Sequence, residues 1–251
     1  MVKWIKAALV LFVVSFVILA LGSGEIPAWR SDGTRTVEVS SVSANLEILE
    51  CPNAGSQIAI YGDSHVSGAR MDGSSDESRS SFSAVFADTL PDGVVVAKHG
   101  VGGHTAAMGE SRWLVEDASD QADLVLLFFG TNDAAPRGWL RDKQPVPLEE
   151  FAASMGRLID HFERTGSRVI LIAPPPAGSR AIAGRLGPYR QSVASIGAER
   201  GLSVLDPADA FSQCEADQPL LVRDALHMRE VGHRCLGEWM ARTMCPNANA
   251  N

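Results

Sequence analysis

Four short stretches of the chain hold the residue types that acyl transfer uses. Ser64 stands in Gly62-Asp63-Ser64-His65, and Asp224 and His227 stand three apart in Asp224-Ala225-Leu226-His227. Asn132 lies in Gly130-Thr131-Asn132-Asp133, and a glycine-rich run covers Gly100-Val101-Gly102-Gly103-His104-Thr105. A serine hydroxyl is a weak nucleophile until a base takes its proton. Three residues apart in a tight loop, an aspartate can accept the imidazole Nδ1–H, which leaves Nε2 free for the Ser64 proton. Asn132 and backbone N–H groups can hold an oxyanion. Gly62 permits a sharp turn, and Gly103, lacking Cβ, lets its N–H approach a substrate oxygen.

Something must bring these stretches together. From Gln57 onward, short apolar runs alternate with longer amphipathic ones. The runs are Ile58–Tyr61, Val94–Ala97, Leu124–Phe129, Val169–Ala173 and Leu202–Leu205. Being apolar almost throughout, they read as strands buried on both faces of a parallel sheet. Helices are expected at about Ser80–Leu90, Thr105–Asp117, Leu148–Arg164, Arg185–Arg200 and Arg229–Met244. The third carries a stripe of Leu148, Phe151, Met155, Leu158, Ile159 and Phe162. Five strands alternating with helices give an α/β, doubly wound, flavodoxin-like sheet. Right-handed crossovers then place every strand's C-terminal end on one edge, where ligands bind. Four of the five strand ends carry the residues named above.

With these residues in hand, the chain resembles the SGNH, or GDSL-type, hydrolases. The Ser, Gly, Asn and His of that name appear in order as Ser64, Gly103, Asn132 and His227. The resemblance covers about residues 56–243. It implies a three-layer α/β/α sandwich and ester hydrolysis or acyl transfer without a cofactor. It implies Ser64 as nucleophile, His227 as base and Asp224 as its orienting acid. The implied oxyanion hole is Gly103, Asn132 and the Ser64 N–H. Two positions depart from the pattern: His65 stands where the family name has Leu, and Met228 follows His227 where Pro is common. Both bear on substrate preference rather than on the chemistry, and no substrate-binding residue is assigned.

Plainer readings apply to the remaining candidates. Ser64 and Asp63 also suit a helix N-cap. Asp133 is expected to buttress the Asn132 loop by local hydrogen bonds. His65, His99 and His104 are expected to be structural or substrate-side, since no carboxylate or cysteine spacing supports a metal. His161 and His233 fall in helices and read as structural. The glycine-rich run ends in Thr105 and follows the second strand, so it is a poor dinucleotide fingerprint. There is no G-x-S-x-G. Arg137, Arg141 and Lys143 read as a solvated loop. Ala135–Val146 is the candidate specificity loop.

The chain has 251 residues, 45% hydrophobic and 21% charged, which suits one globular domain. Its formal charge of −8 argues against a nucleic-acid partner. Only one apolar stretch approaches membrane-spanning length, which excludes a multi-pass transporter. That stretch, Ala7–Leu21, follows Lys3 and Lys6 and precedes small residues, the pattern of a secretory signal over residues 1–22 or of a retained single anchor. Either way the body is exported, to the periplasm or beyond. Residues 23–55 form a polar leader with weak period-2 patterning, an edge hairpin or an extended segment. The hydrolase domain is expected over 56–245, with a tail over 246–251. Cys51, Cys214, Cys235 and Cys245 lack C-x-x-C spacing and suit disulfides. Three pairings are open, and the sequence does not choose among them; our working assignment is Cys214–Cys235 with Cys51–Cys245.

Three functions fit. The first is an exported serine esterase acting on a small acyl ester of a carbohydrate or a lipid. The second is an O-acyltransferase passing the acyl group to a sugar hydroxyl, against which stands the lack of extra membrane helices to supply acyl groups. The third is a non-catalytic carbohydrate-binding module, against which stands the complete Ser64, Asp224 and His227 set. The sequence is silent on oligomeric state.

Overall fold

The computed structural model describes residues 33–68, 80–114, 122–134 and 144–246. The signal or anchor segment, Arg137, Arg141, Lys143 and residues 135–143 of the expected specificity loop lie outside them. Among the described residues, no helix is long and apolar enough to cross a membrane.

Five strands form one parallel sheet: β1 (Gln57–Gly62), β2 (Val95–Gly100), β3 (Leu124–Phe128), β4 (Arg168–Ile172) and β5 (Val204–Leu205). Their spatial order is β2-β1-β3-β4-β5, and every neighbouring pair is parallel. The order reverses between β1 and β3, so loops after these two strands diverge and leave a crevice. The helices are α1 (Ser64–Ser67), α2 (Phe82–Thr89), α3 (Ala106–Trp113), α4 (Thr131–Ala134), α5 (Leu148–Arg164), α6 (Arg180–Arg200), α7 (Pro207–Ser212) and α8 (Glu230–Met244).

Strand alternation divides the core into two layers. Tyr61, Val125, Leu127, Val169 and Leu171 pack against Trp113 of α3, the Phe151–Phe162 stripe of α5, and Leu186, Tyr189 and Val193 of α6. Ile58, Ile60, Leu126, Phe128 and Ile172 face the other way, onto Phe82 and Phe86 of α2 and Leu236, Trp239, Met240 and Met244 of α8. Burying each such side chain stabilises the fold by roughly 1.5–3 kcal/mol before chain entropy is counted. The sheet is therefore a rigid middle layer that fixes where its strand ends lie.

Several expectations need correction. β2 is not buried on both faces: Val95 is 59% exposed, because β2 is an edge strand with one neighbour. Leu148 opens α5 but is 42% exposed and lies outside the buried stripe. α6 begins at Arg180, not Arg185, because Ser179 caps it by accepting the Ile182 N–H. Of the two forms open for the leader, its described part takes the extended one, a strap whose backbone pairs with Leu221 at Thr34 and with Val204 at Ala44 before a short 3-10 turn over Leu46–Ile48. Val42 N–H also donates to Asp206, whose carboxylate forms a buried ion pair with Arg190 at 2.6 Å. The strap ends at Cys51, which is bonded to Cys245 just past α8; Cys214 is bonded to Cys235.

Candidate active site

Ser64 is delivered by the β1–α1 turn. Gly62 ends β1 where any Cβ would come within 2.5 Å of the Phe128 carbonyl and the Val66 side chain, so only glycine fits. Asp63 then caps α1, its Oδ1 accepting the His65 N–H at 2.9 Å. Ser64 is the first helical residue, so its own N–H has no acceptor within the helix. The expected capping role thus falls to Asp63 and leaves the Ser64 hydroxyl free for another partner.

That partner is His227. Ser64 Oγ lies 2.8 Å from His227 Nε2, and His227 Nδ1 lies 2.6 Å from Asp224 Oδ2. With Nδ1–H donated to Asp224, Nε2 accepts the serine proton. The three-residue loop works because Asp224 Oδ1 also accepts the backbone N–H groups of Leu226 and His227, at 3.0 and 2.9 Å. Ala225, directly after Asp224, adopts a positive φ of 61°, a strained conformation for a residue with Cβ. The loop is held from outside: Gly178 N–H donates to the Ala225 carbonyl, and Thr34 Oγ1 donates to the Val222 carbonyl. Partial burial opposes ionisation of Asp224. The hydrogen bonds and charge of His227, with the Leu226 N–H, outweigh it and hold the carboxyl well below the usual carboxylate range.

Gly103 follows β2 with φ 77°, in a turn closed by the His104 N–H to Val101 carbonyl bond. This left-handed conformation favours glycine. Asn132 is drawn in from β3, but its side-chain amide is already engaged. Nδ2 donates to Asp63 Oδ2 and to the His104 carbonyl, each at 3.1 Å, which uses both of its hydrogens.

Asp133 buttresses its own loop as expected, its carboxyl accepting from the backbone N–H groups of Gly130 and of Asp133 itself, and it also reaches further. It is buried, and both its oxygens reach across to the Ala106 N–H at the start of α3, at 3.1 and 3.2 Å. Burial pushes its carboxyl up to about 7, against that hydrogen bond and helped by repulsion from Asp63. His233 is structural: its Nδ1 accepts the Phe82 N–H, and burial, with the charges of His65, His227 and Lys98, pushes it down to about 3. His99 stacks on Tyr61 at 4.5 Å. Among the described residues, no three His, Cys, Asp or Glu side chains are grouped to hold a metal ion. The contacts that hold the site from outside, through Thr34, Gly178 and Asp133, join residues distant in sequence and carry no motif.

A parallel α/β/α sandwich with a hydrogen-bonded serine, histidine and aspartate at its strand ends defines the class of a serine hydrolase. The model of the GDSL-like lipase/acylhydrolase family matches residues 60–235, and the chain belongs to that family. It is an ester-hydrolysing serine hydrolase. A GDSL esterase/lipase of Arabidopsis thaliana is 23% identical over 74% of this chain and 84% of its own. An isoamyl acetate-hydrolyzing esterase 1 homolog of Bos taurus is 30% identical, over 45% of this chain and 52% of its own. The crystal structure of Axe2, an acetylxylan esterase of Geobacillus stearothermophilus, superposes with a TM-score of 0.62. It covers 78% of this chain and 95% of that one at 20% identity, a likeness of fold.

Proposed function

We propose that the chain is an exported serine esterase that removes a small acyl group, acetyl foremost, from a carbohydrate or lipid ester. The observation that carries the mechanism is the chain of contacts from Ser64 Oγ to His227 Nε2 at 2.8 Å and on to Asp224 at 2.6 Å. His227 takes the Ser64 proton as Oγ attacks the ester carbonyl, then returns it to the leaving alcohol. A water activated by His227 releases the acid in the second half. Asp224, kept ionised, stabilises the imidazolium in both halves. The Ser64 and Gly103 N–H groups are the backbone donors to the oxyanion. For Asn132 to join them, one amide hydrogen must leave Asp63 or the His104 carbonyl as the tetrahedral intermediate forms.

Support for acetyl comes from a sequence relative whose name specifies acetate, and a fold neighbour is named as an acetylxylan esterase. Export is supported by the two disulfides, which persist in oxidising compartments, and by the basic-then-apolar N-terminus. The test is hydrolysis of p-nitrophenyl acetate, butyrate and octanoate beside Ser64→Ala. The reading expects turnover that falls with acyl length and vanishes in the variant. Octanoate as the best substrate would refute the small-acyl part. Full turnover by Ser64→Ala would refute the nucleophile.

A further inference from the structure

His65 occupies the position after the nucleophile, where an apolar residue would satisfy packing. Its ring is instead a polar crossing point, buried to 1% exposure. Nδ1 lies 3.1 Å from Asp63 Oδ1, and Nε2 lies 3.2 Å from the Leu226 carbonyl oxygen. Both partners are acceptors. A neutral imidazole has one N–H and would set a nitrogen lone pair against an oxygen lone pair on one side. Both contacts are hydrogen bonds only when the ring carries two protons. Both Asp63 oxygens meanwhile accept N–H groups, as a carboxylate does: Oδ1 from His65 and Oδ2 from Asn132.

The two ends of this crossing lead to opposite sides of the site. Through Asp63 it reaches the Asn132 amide. Through Leu226 it reaches the loop whose Asp224 and His227 flank that residue. The His65 and His227 rings also stack, with centroids 5.4 Å apart and planes 12° apart, so His65 packs against one face of the base. We propose that His65 is a positioning residue, whose two ring N–H groups tie the Asp63 carboxylate to the Leu226 carbonyl and so hold Asn132 and the Asp224–His227 loop in one register around Ser64. Its ring nitrogens bond to Asp63 and to the Leu226 carbonyl, and it acts through these neighbours.

The charges around His65 agree. Burial disfavours the cation. The Asp63 charge and hydrogen bond, the Leu226 carbonyl and the Asp224 charge outweigh it, so protonation is held above its usual range. His227 faces the same ring by stacking, and His233 on α8 feels its charge. Phe128 of β3 packs at 5.6 Å and adds no charge. A buried ion pair is a poor way to gain stability compared with an apolar side chain of similar size, which points to a role in alignment.

The inference rests on the Ser64 reading for its reaction, and two arms of the test keep them apart. In the first, ¹⁵N NMR of the histidine-labelled enzyme reads the His65 ring at pH 5–8. Two protonated nitrogens at pH 7 are expected, reverting to one in Asp63→Asn; a neutral ring in the wild type would overturn the inference whatever the enzyme hydrolyses. In the second, His65→Leu is assayed with p-nitrophenyl acetate, after titration of active sites with a fluorophosphonate to correct for any loss of folded enzyme. Per titrated site, kcat is expected to fall roughly 10- to 100-fold with KM within about 2-fold. Wild-type kcat per site in His65→Leu would overturn the inference. A wild type that neither turns over esters nor labels at Ser64 would instead overturn the nucleophile reading, while the ring protonation remains measurable.

Discussion

Replacing Asp133 by Asn should change how stability depends on pH. Asp133 is buried beside Asn132 and donates nothing in its ionised form; its oxygens accept the Ala106 N–H. Its carboxyl is raised from 3.8 to about 7, mainly by burial. A carboxyl raised on folding stabilises the native state fully below its unfolded value. That contribution is lost as pH rises from there through the folded value. At about 1.4 kcal/mol per unit, the whole loss is roughly 4 kcal/mol, of which about 3 kcal/mol falls between pH 5 and pH 8. Asparagine keeps an acceptor for Ala106 and has no charge to desolvate. Thermal or urea unfolding of wild type and Asp133→Asn at pH 5, 6, 7 and 8 isolates this group, since other titrations cancel in the difference. The variant should gain about 3 kcal/mol on the wild type between the ends of the series, roughly 6 to 12 °C in Tm for a chain of this size. Parallel stability curves for the two proteins would refute the reasoning.

Three further outcomes are expected. Asp224→Asn, which leaves the loop's shape but no longer fixes the His227 tautomer, should lower kcat by roughly 10³- to 10⁴-fold, read by ester hydrolysis; a loss under about 10-fold would count against Asp224 as the orienting acid. His227→Ala, which removes the group that accepts the Ser64 proton, should lower kcat by at least roughly 10³-fold in the same assay; a loss under about 10-fold would argue against His227 as the base. Cys51→Ser with Cys245→Ser removes the bond that closes most of the domain and should cost about 2–5 kcal/mol in urea unfolding at fixed pH; an unchanged midpoint would show that the strap is held by its other contacts alone.

The layers of this fold were readable because a parallel sheet leaves a strong sequence trace. β3 is apolar at all five positions since helices cover both its faces, and α5 shows its buried stripe at helical spacing. The sequence pattern could not tell that β2 lies at the edge, because Val95–Ala97 are apolar although partly exposed. The start of α6 was hidden by Gly184, whose low helix propensity the tertiary contacts of α6 override. Ser64, Asn132, Asp224 and His227 were legible because strand ends converge on one edge. What had no local signature was the set of contacts that hold them: the Thr34 strap on the catalytic loop, Asp133 on Ala106, and Asp63 between Asn132 and His65. Each joins residues far apart in the chain or depends on which hydrogen a side chain spends where. The disulfide pairing likewise follows from where α8 and the strap end meet, which spacing alone does not encode.

The central claim is that Ser64, activated by His227, is the atom that becomes acylated. The direct measurement is to treat the folded enzyme with a fluorophosphonate and map the adduct by peptide mass spectrometry, beside His227→Ala. The account predicts one adduct, on Ser64, formed far more slowly in the variant. An adduct on another serine, or a rate unaffected by removal of His227, would contradict it.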